Sequence, residues 1–264
     1  MRGRTASIII TAVVTIAACG EADDTTSAPV ASALVASTPV ASTSDASTPV
    51  ASTPVATTAA ATRAPEPALL FADTFDDDRN GWGEIDDGEF GTIDIVDGDQ
   101  RWIDATGRVL LWGPAALIEP LEQGDLDLAD VTIRAHVTLV SGTGVIGVAC
   151  RVVPDTDAEL QWYDFVVRDG YAAIRRSDDQ SHIEVLAEQD EAAVPFGAPV
   201  EIEATCRDDD QGGAHLTLAL DGTTLLEVTD DSPIENGWAA PVAWSFPVHS
   251  PIEAHWHEFS VFSA

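Results

Sequence analysis

From residue 131 to residue 139 the chain alternates without a slip. Val131, Ile133, Ala135, Val137 and Leu139 fall on one side of an extended backbone, and Thr132, Arg134, His136 and Thr138 on the other. A period of two is the mark of a strand with one buried and one polar face. Residues 200–206 and 215–220 repeat it. Asp221-Gly222 separates Leu220 from the run 223–228, and two residues tolerant of positive φ at that place predict a tight hairpin. Further strands are predicted at 69–75, 90–96, 101–105, 145–152, 162–167, 171–176, 182–188, 238–246 and 253–262. No stretch carries an apolar stripe at helical spacing. Roughly a dozen short strands, punctuated by Gly, Asp and Pro, predict one all-β sandwich or jelly roll over residues 67–264.

Ahead of that region the pattern changes twice. Arg2 and Arg4 precede an apolar run at 7–16, too short to span a bilayer as a helix, and the run ends in Ile16-Ala17-Ala18-Cys19-Gly20. Small residues immediately before a cysteine resemble the lipobox of bacterial lipoproteins. The resemblance implies a signal peptide at 1–18, a diacylglycerol thioether on Cys19, and anchorage at the outer side of the cell membrane by acyl chains. Residues 19–66 are then almost wholly Ala, Ser, Thr, Pro and Val, with Ala-Ser-Thr-Pro-Val recurring at 36–40, 46–50 and 51–55. Such a segment lacks the apolar content for a core and reads as a disordered, proline-stiffened tether. About 46 residues at ~3.1 Å each would reach roughly 140 Å.

Charge narrows the partners. The chain carries a formal −33, and residues 1–66 account for only five acids and three arginines. The remainder therefore holds 40 acids against 9 bases, a net −31, with no lysine anywhere. Such a surface repels phosphate backbones and anionic head groups, which excludes a nucleic-acid partner. Of the three cysteines, Cys19 is assigned to lipid, which leaves Cys150 and Cys206, 56 residues apart and each in phase with the apolar side of its strand. In an exported domain the pair reads as a disulfide, the alternative being two buried free thiols.

Several stretches in order resemble the concanavalin A-like, LamG-like jelly rolls, and are similar to the domain called 3-keto-disaccharide hydrolase. They are residues 71–75 leading to Asn80-Gly81-Trp82, residues 131–141 followed by 147–151, residues 162–167 with 169–171, residues 218–222 through 227–230, and residues 256–261. The resemblance implies a two-sheet sandwich, a fold that hosts lectins, glycosidases, adhesion modules and inert spacers alike.

Candidate chemistry is sparse. Glycoside hydrolysis ordinarily needs two facing carboxylates, and no Glu-x-Asp-x-x-Glu of the related glucanases is present. There is no Gly-x-Ser-x-Gly elbow, phosphate loop or Cys–His zinc pattern either. Asp76, Asp78, Asn80 and Asp87 around Gly81 follow the order of oxygen ligands in a calcium loop, although Asp87 replaces the usual Glu and flanking helices are missing. An acidic turn is the competing reading. His255 and His257 fall on one side of a strand, as zinc or copper would need, but no third ligand is identifiable. Trp162 and Asp164 share a face opposite Tyr163, Phe165 and Val167, and Arg151 lies opposite Val148, Cys150 and Val152 in phase. On adjacent strands Trp162 would stack on a sugar ring while Arg151 and Asp164 bond its hydroxyls. The competing reading pairs Arg151 with Asp164 structurally. The expectation is a non-catalytic module for a glycan or envelope ligand. The alternatives are a glycoside-processing hydrolase and an adhesion domain with a protein partner.

Overall fold

The computed structural model describes residues 67–77, 79–82, 85–87, 91–104, 109–111, 128–154, 160–179, 182–245 and 252–264. The lipidation position Cys19, the tether 19–66 and Asp78 lie outside the described residues, as does the side chain of Asp87. Fifteen strands and no helix occur among those described.

The strands are β1 (Leu69–Asp73), β2 (Ile85–Asp87), β3 (Gly91–Val96), β4 (Asp99–Asp104), β5 (Val109–Leu111), β6 (Val131–Ser141), β7 (Val145–Pro154) and β8 (Leu160–Arg168). They continue as β9 (Tyr171–Asp179), β10 (His182–Gln189), β11 (Pro199–Asp208), β12 (Ala214–Leu220), β13 (Thr223–Asp230), β14 (Trp238–Trp244) and β15 (Ile252–Ser263). A nine-stranded sheet runs β13-β12-β11-β6-β15-β4-β3-β2, with β1 also on β15. A six-stranded sheet runs β10-β9-β8-β7-β14-β5. The described pairings within both sheets are antiparallel. Chain-distant neighbours such as β6 beside β15 and β7 beside β14 give the crossing connections of a jelly roll.

The alternation in β6 does what it predicts: Val131, Ile133, Ala135, Val137 and Leu139 are buried between the sheets. Across from them lie Ile146, Val148 and Cys150 of β7, with Tyr163, Phe165 and Val167 of β8. The Asp221-Gly222 hairpin forms with φ of 48° and 73°, the left-handed pair that the turn requires. Asp221 also ties the turn to the next strand by accepting the amide of Glu201 at 2.9 Å.

Cys150 and Cys206 are bonded, with Cα atoms 6.7 Å apart. Because β7 and β11 belong to different sheets, the bridge staples the two layers of the sandwich together.

The expected phase of β7 fails at one point. Regular alternation puts Val152 inward with Val148 and Cys150, but the β7–β8 register shifts between Cys150 and Val153, and Arg151 takes a positive φ of 51°. This bulge turns Val152 to the outer face, where it packs with Ala149, Leu160 and Trp162.

Candidate binding face

The outer face of the six-stranded sheet is where the chemistry gathers. Its floor interleaves small residues, Gly147 and Ala149 on β7, Ala173 on β9 and Ala240 on β14, with Val145, Val166 and Val242. At Gly147 the backbone of β8 comes so close that an added Cβ would meet the Phe165 carbonyl oxygen. Glycine is therefore required there. Around this floor stand Trp162, Trp238, Trp244 and Tyr171.

At the centre Asp164 of β8 faces Arg175 of β9 across the ladder. The guanidinium donates Nε to Oδ1 and Nη2 to Oδ2, both at 2.7 Å, a two-pronged pair that matches both planar groups. Trp162 donates its indole N–H to Asp164 Oδ2 at 3.3 Å. Trp244 lays its ring 4.9 Å from the Arg175 guanidinium carbon, a cation–π contact on the other side of the same cation. Asp164 is 1% exposed and Arg175 4%, so the pair is desolvated and each charge depends on the other. Tyr171 and Trp238 are only partly buried, which leaves them as the aromatic surfaces a ligand would meet first. Burial lifts the Tyr171 phenol above its ordinary range, against the opposing pull of the Arg175 charge.

Trp162 and Asp164 lie together on this face, opposite Tyr163, Phe165 and Val167. Arg151 does not join them. Its bulge sends it to the end of the sandwich, where Nη2 donates to Asp208 Oδ1 at 2.6 Å and to the Ala129 carbonyl at 3.0 Å. Nη1 donates to the Ile234 carbonyl at 3.0 Å. The partner of Asp164 is Arg175, which the sequence reading missed, together with Trp244. A signal was there: Asp169-Gly170 closes a two-residue turn that sets Arg168 opposite Tyr171. Counting back in step along both strands reaches Asp164 opposite Arg175.

The inward side of the same strands is tied by a second network. Tyr163 donates its hydroxyl to Asp230 Oδ2 at 2.6 Å and accepts the amide of Ile234 at 3.1 Å. Arg176 donates to the same Asp230 oxygen at 3.0 Å. Burial first, and the bond to Asp230 second, hold the Tyr163 phenol well above its usual range.

Of the other candidate ligands, Asp76, Asn80, His255 and His257 have partners within the protein. Asp73 gathers the first turn, accepting the Phe75 amide at 2.7 Å, the Asn80 side-chain amide at 2.7 Å and the Trp82 indole at 2.5 Å. Thr74 donates its hydroxyl to Asp76 at 2.8 Å. Asn80 thus serves Asp73, and Asp76 caps Thr74. His255 and His257 both turn toward Asp99: His257 Nδ1 is 2.7 Å and His255 Nδ1 3.9 Å from its carboxylate. His257 Nε2 lies 2.7 Å from the Thr138 hydroxyl, and His255 Nε2 lies 3.0 Å from Glu253. Among the described residues no group of three His, Cys, Asp or Glu side chains is arranged to hold a metal ion.

No protein-family model matches the chain, and no curated protein matches it. Solved structures do match. A protein of unknown function with a galectin-like fold from Bacillus subtilis superposes with a TM-score of 0.54 at 12% identity, over 75% of this chain and 97% of that one. The carbohydrate-binding module CBM66 from Bacillus subtilis gives 0.50 at 14% identity, over 70% of this chain and 96% of that one. The GlcNAcα1-4Gal-releasing endo-β-galactosidase from Clostridium perfringens gives 0.51 at 11% identity, over 74% of this chain and 62% of that one. At such identities the likeness is one of fold. The described domain shares with them the fold of an all-β, two-sheet jelly-roll sandwich.

Proposed function

We propose that this chain is an exported, lipid-anchored surface protein whose sandwich binds a glycan without cleaving it. The outer face of the six-stranded sheet is its binding face. One observation carries the reading: the partly exposed rings of Tyr171 and Trp238 share this face, which a desolvated Asp164–Arg175 pair and the buried Trp162 and Trp244 hold in place. Aromatic rings presented to solvent suit the flat apolar face of a sugar. A carbohydrate-binding module and an endo-β-galactosidase share the fold, which supports the ligand class.

Binding is favoured over hydrolysis by how the carboxylates of this face are held. Arg175 holds both oxygens of Asp164, and Glu188 of β10, opposite Ala173 in the ladder, is hydrogen-bonded to Tyr171. Hydrolysis by the usual route needs two, one of them free to move a proton. The 3-keto-disaccharide hydrolase kind of activity is the rival outcome. Arg2, Arg4, the apolar run and Ala17-Ala18-Cys19 support the anchor, and residues 19–66 would hold the domain away from the membrane.

The test is a glycan array with the purified chain and its Trp238→Ala variant. Saturable binding by the wild type, weakened about tenfold or more in the variant, is the expected result. A blank array from folded protein refutes the glycan reading in favour of a protein partner, and release of shortened sugars refutes the non-catalytic one. Acyl labelling that disappears in Cys19→Ala tests the anchor.

A further inference from the structure

Five side-chain nitrogen and oxygen atoms of the described residues are buried without a hydrogen-bond partner, and four of them gather at one place. They are Nε2 and Oε1 of Gln100 and the indole nitrogens of Trp102 and Trp256. Gln100 and Trp102 are successive inward positions on β4, and Gln100 stands opposite Trp256 in the β4–β15 ladder. The two indole rings are 5.6 Å apart. The side chains beside them belong to Ile93 and Ile95 on β3, Ala254 on β15 and Val137 on β6, which have nothing to donate or accept. A whole carboxamide and two indole N–H groups thus stand on neighbouring inward positions in an apolar setting, where an unmet polar group costs at least as much as a lost hydrogen bond.

We infer that this part of the core is a hydration site, in which Gln100, Trp102 and Trp256 bind at least two internal water molecules. The donor pattern selects the ligand. Both indoles only donate, so the bound species must offer lone pairs. Oε1 of Gln100 only accepts, so the same cluster must also offer an O–H, and Nε2 needs a further acceptor. A metal cation is repelled by the N–H groups, and a simple anion has no proton for Oε1. Water supplies both roles, and globular domains hold on the order of one buried water per ~27 residues at such polar points. The site is independent of the glycan reading, since it lies between the sheets and not on the outer face.

The experiment is a water-selective NOE and ROE measurement on the full chain with its indole nitrogens labelled. Trp102→Phe and Trp256→Phe identify the two signals. Both indole protons are expected to show cross-peaks to long-lived water. The Trp82 indole, which donates to Asp73, is expected to show none. If the Trp102 and Trp256 indoles are as silent as Trp82, the site is dry and the inference is wrong. Gln100→Leu supplies a second readout. A hydrated site loses its anchor for the water while both indoles stay buried, so the unfolding equilibrium constant rises about tenfold. A variant as stable as the wild type, or more so, overturns the inference, because an apolar side chain improves a dry site. Should Gln100→Leu fail to fold, the wild-type spectrum alone decides between a wet and a dry site.

Discussion

Replacing Asp164 with Asn keeps the shape of the side chain and removes its charge. Arg175 then remains desolvated with no counter-ion, since its ordinary partner supplies both of its short bonds. Removing one member of a buried pair costs about 3–5 kcal/mol, most of it the stranded charge. The side chains of Arg175 and Asp164 are 5% and 1% exposed, so solvent screening gives no relief. For a domain of ~200 residues this is a fall of roughly 6–20 °C in Tm. Arg175→Met strands the carboxylate and should cost a similar amount, offset in small part by the Trp162 indole that still donates to Asp164. The double variant Asp164→Asn/Arg175→Met buries no charge and should lose far less than the sum, with a coupling of about 3 kcal/mol or more. Urea unfolding followed by tryptophan fluorescence reads all four proteins. Single variants within about 1 kcal/mol of the wild type, or losses that simply add, would show that water reaches the pair. That result would refute the account of a sealed, mutually dependent centre.

Two further outcomes follow from the same geometry. The chain has two tyrosines, Tyr163 and Tyr171, and burial raises both phenols. Raised folded pKa values favour the neutral form, so the stability they contribute is complete below the unfolded value of about 10 and is lost as pH rises through the folded values. Absorbance at 295 nm should therefore stay low at pH 10 and rise only with unfolding, and Tyr163→Phe should flatten the alkaline fall in Tm. Half-ionised phenols in folded protein at pH 10 would contradict this. Reducing the Cys150–Cys206 bond, which closes a separation of 56 residues, should cost about 4 kcal/mol in the chain-entropy picture. A Cys150→Ser/Cys206→Ser variant with an unchanged urea midpoint would show that the sheets do not need the staple.

The sequence announces the sheets better than the site. Strict alternation in β6, β11 and β12 reports which residues face inward, because burial on one side imposes a period of two. The Asp221-Gly222 turn is equally legible, since its backbone angles restrict which residues can serve. The pairing of Cys150 with Cys206 follows from two inward cysteines in a domain read as exported. Arg151 is misplaced by periodicity for a physical reason: a bulge is decided by the neighbouring strand's register, and nothing local in Cys150-Arg151-Val152 marks it. The short strands β2 and β5 depend on their partners in the same way. Trp162 and Asp164 are visible as a shared face, but their environment is not, because Arg175 and Trp244 arrive from other strands. The orphaned Gln100 amide is likewise invisible until β15 brings Trp256 beside it.

The place of β15 bears on how the protein reaches its fold. Its twelve residues are paired along one edge to β6, and along the other first to β4 and then to β1. The nine-stranded sheet is therefore joined through its last strand, and β1 must wait for a partner more than 180 residues away, as in the pairing of Leu69 with Phe262. During synthesis β1, β3 and β4 emerge without the strand that completes them. Closure depends on long-range pairing, which makes folding slow compared with a fold of local contacts. A chain that stays open until residue 252 and beyond has appeared leaves the edges of β4 and β6 unpaired for most of its synthesis, the period in which such edges are most prone to wrong pairing.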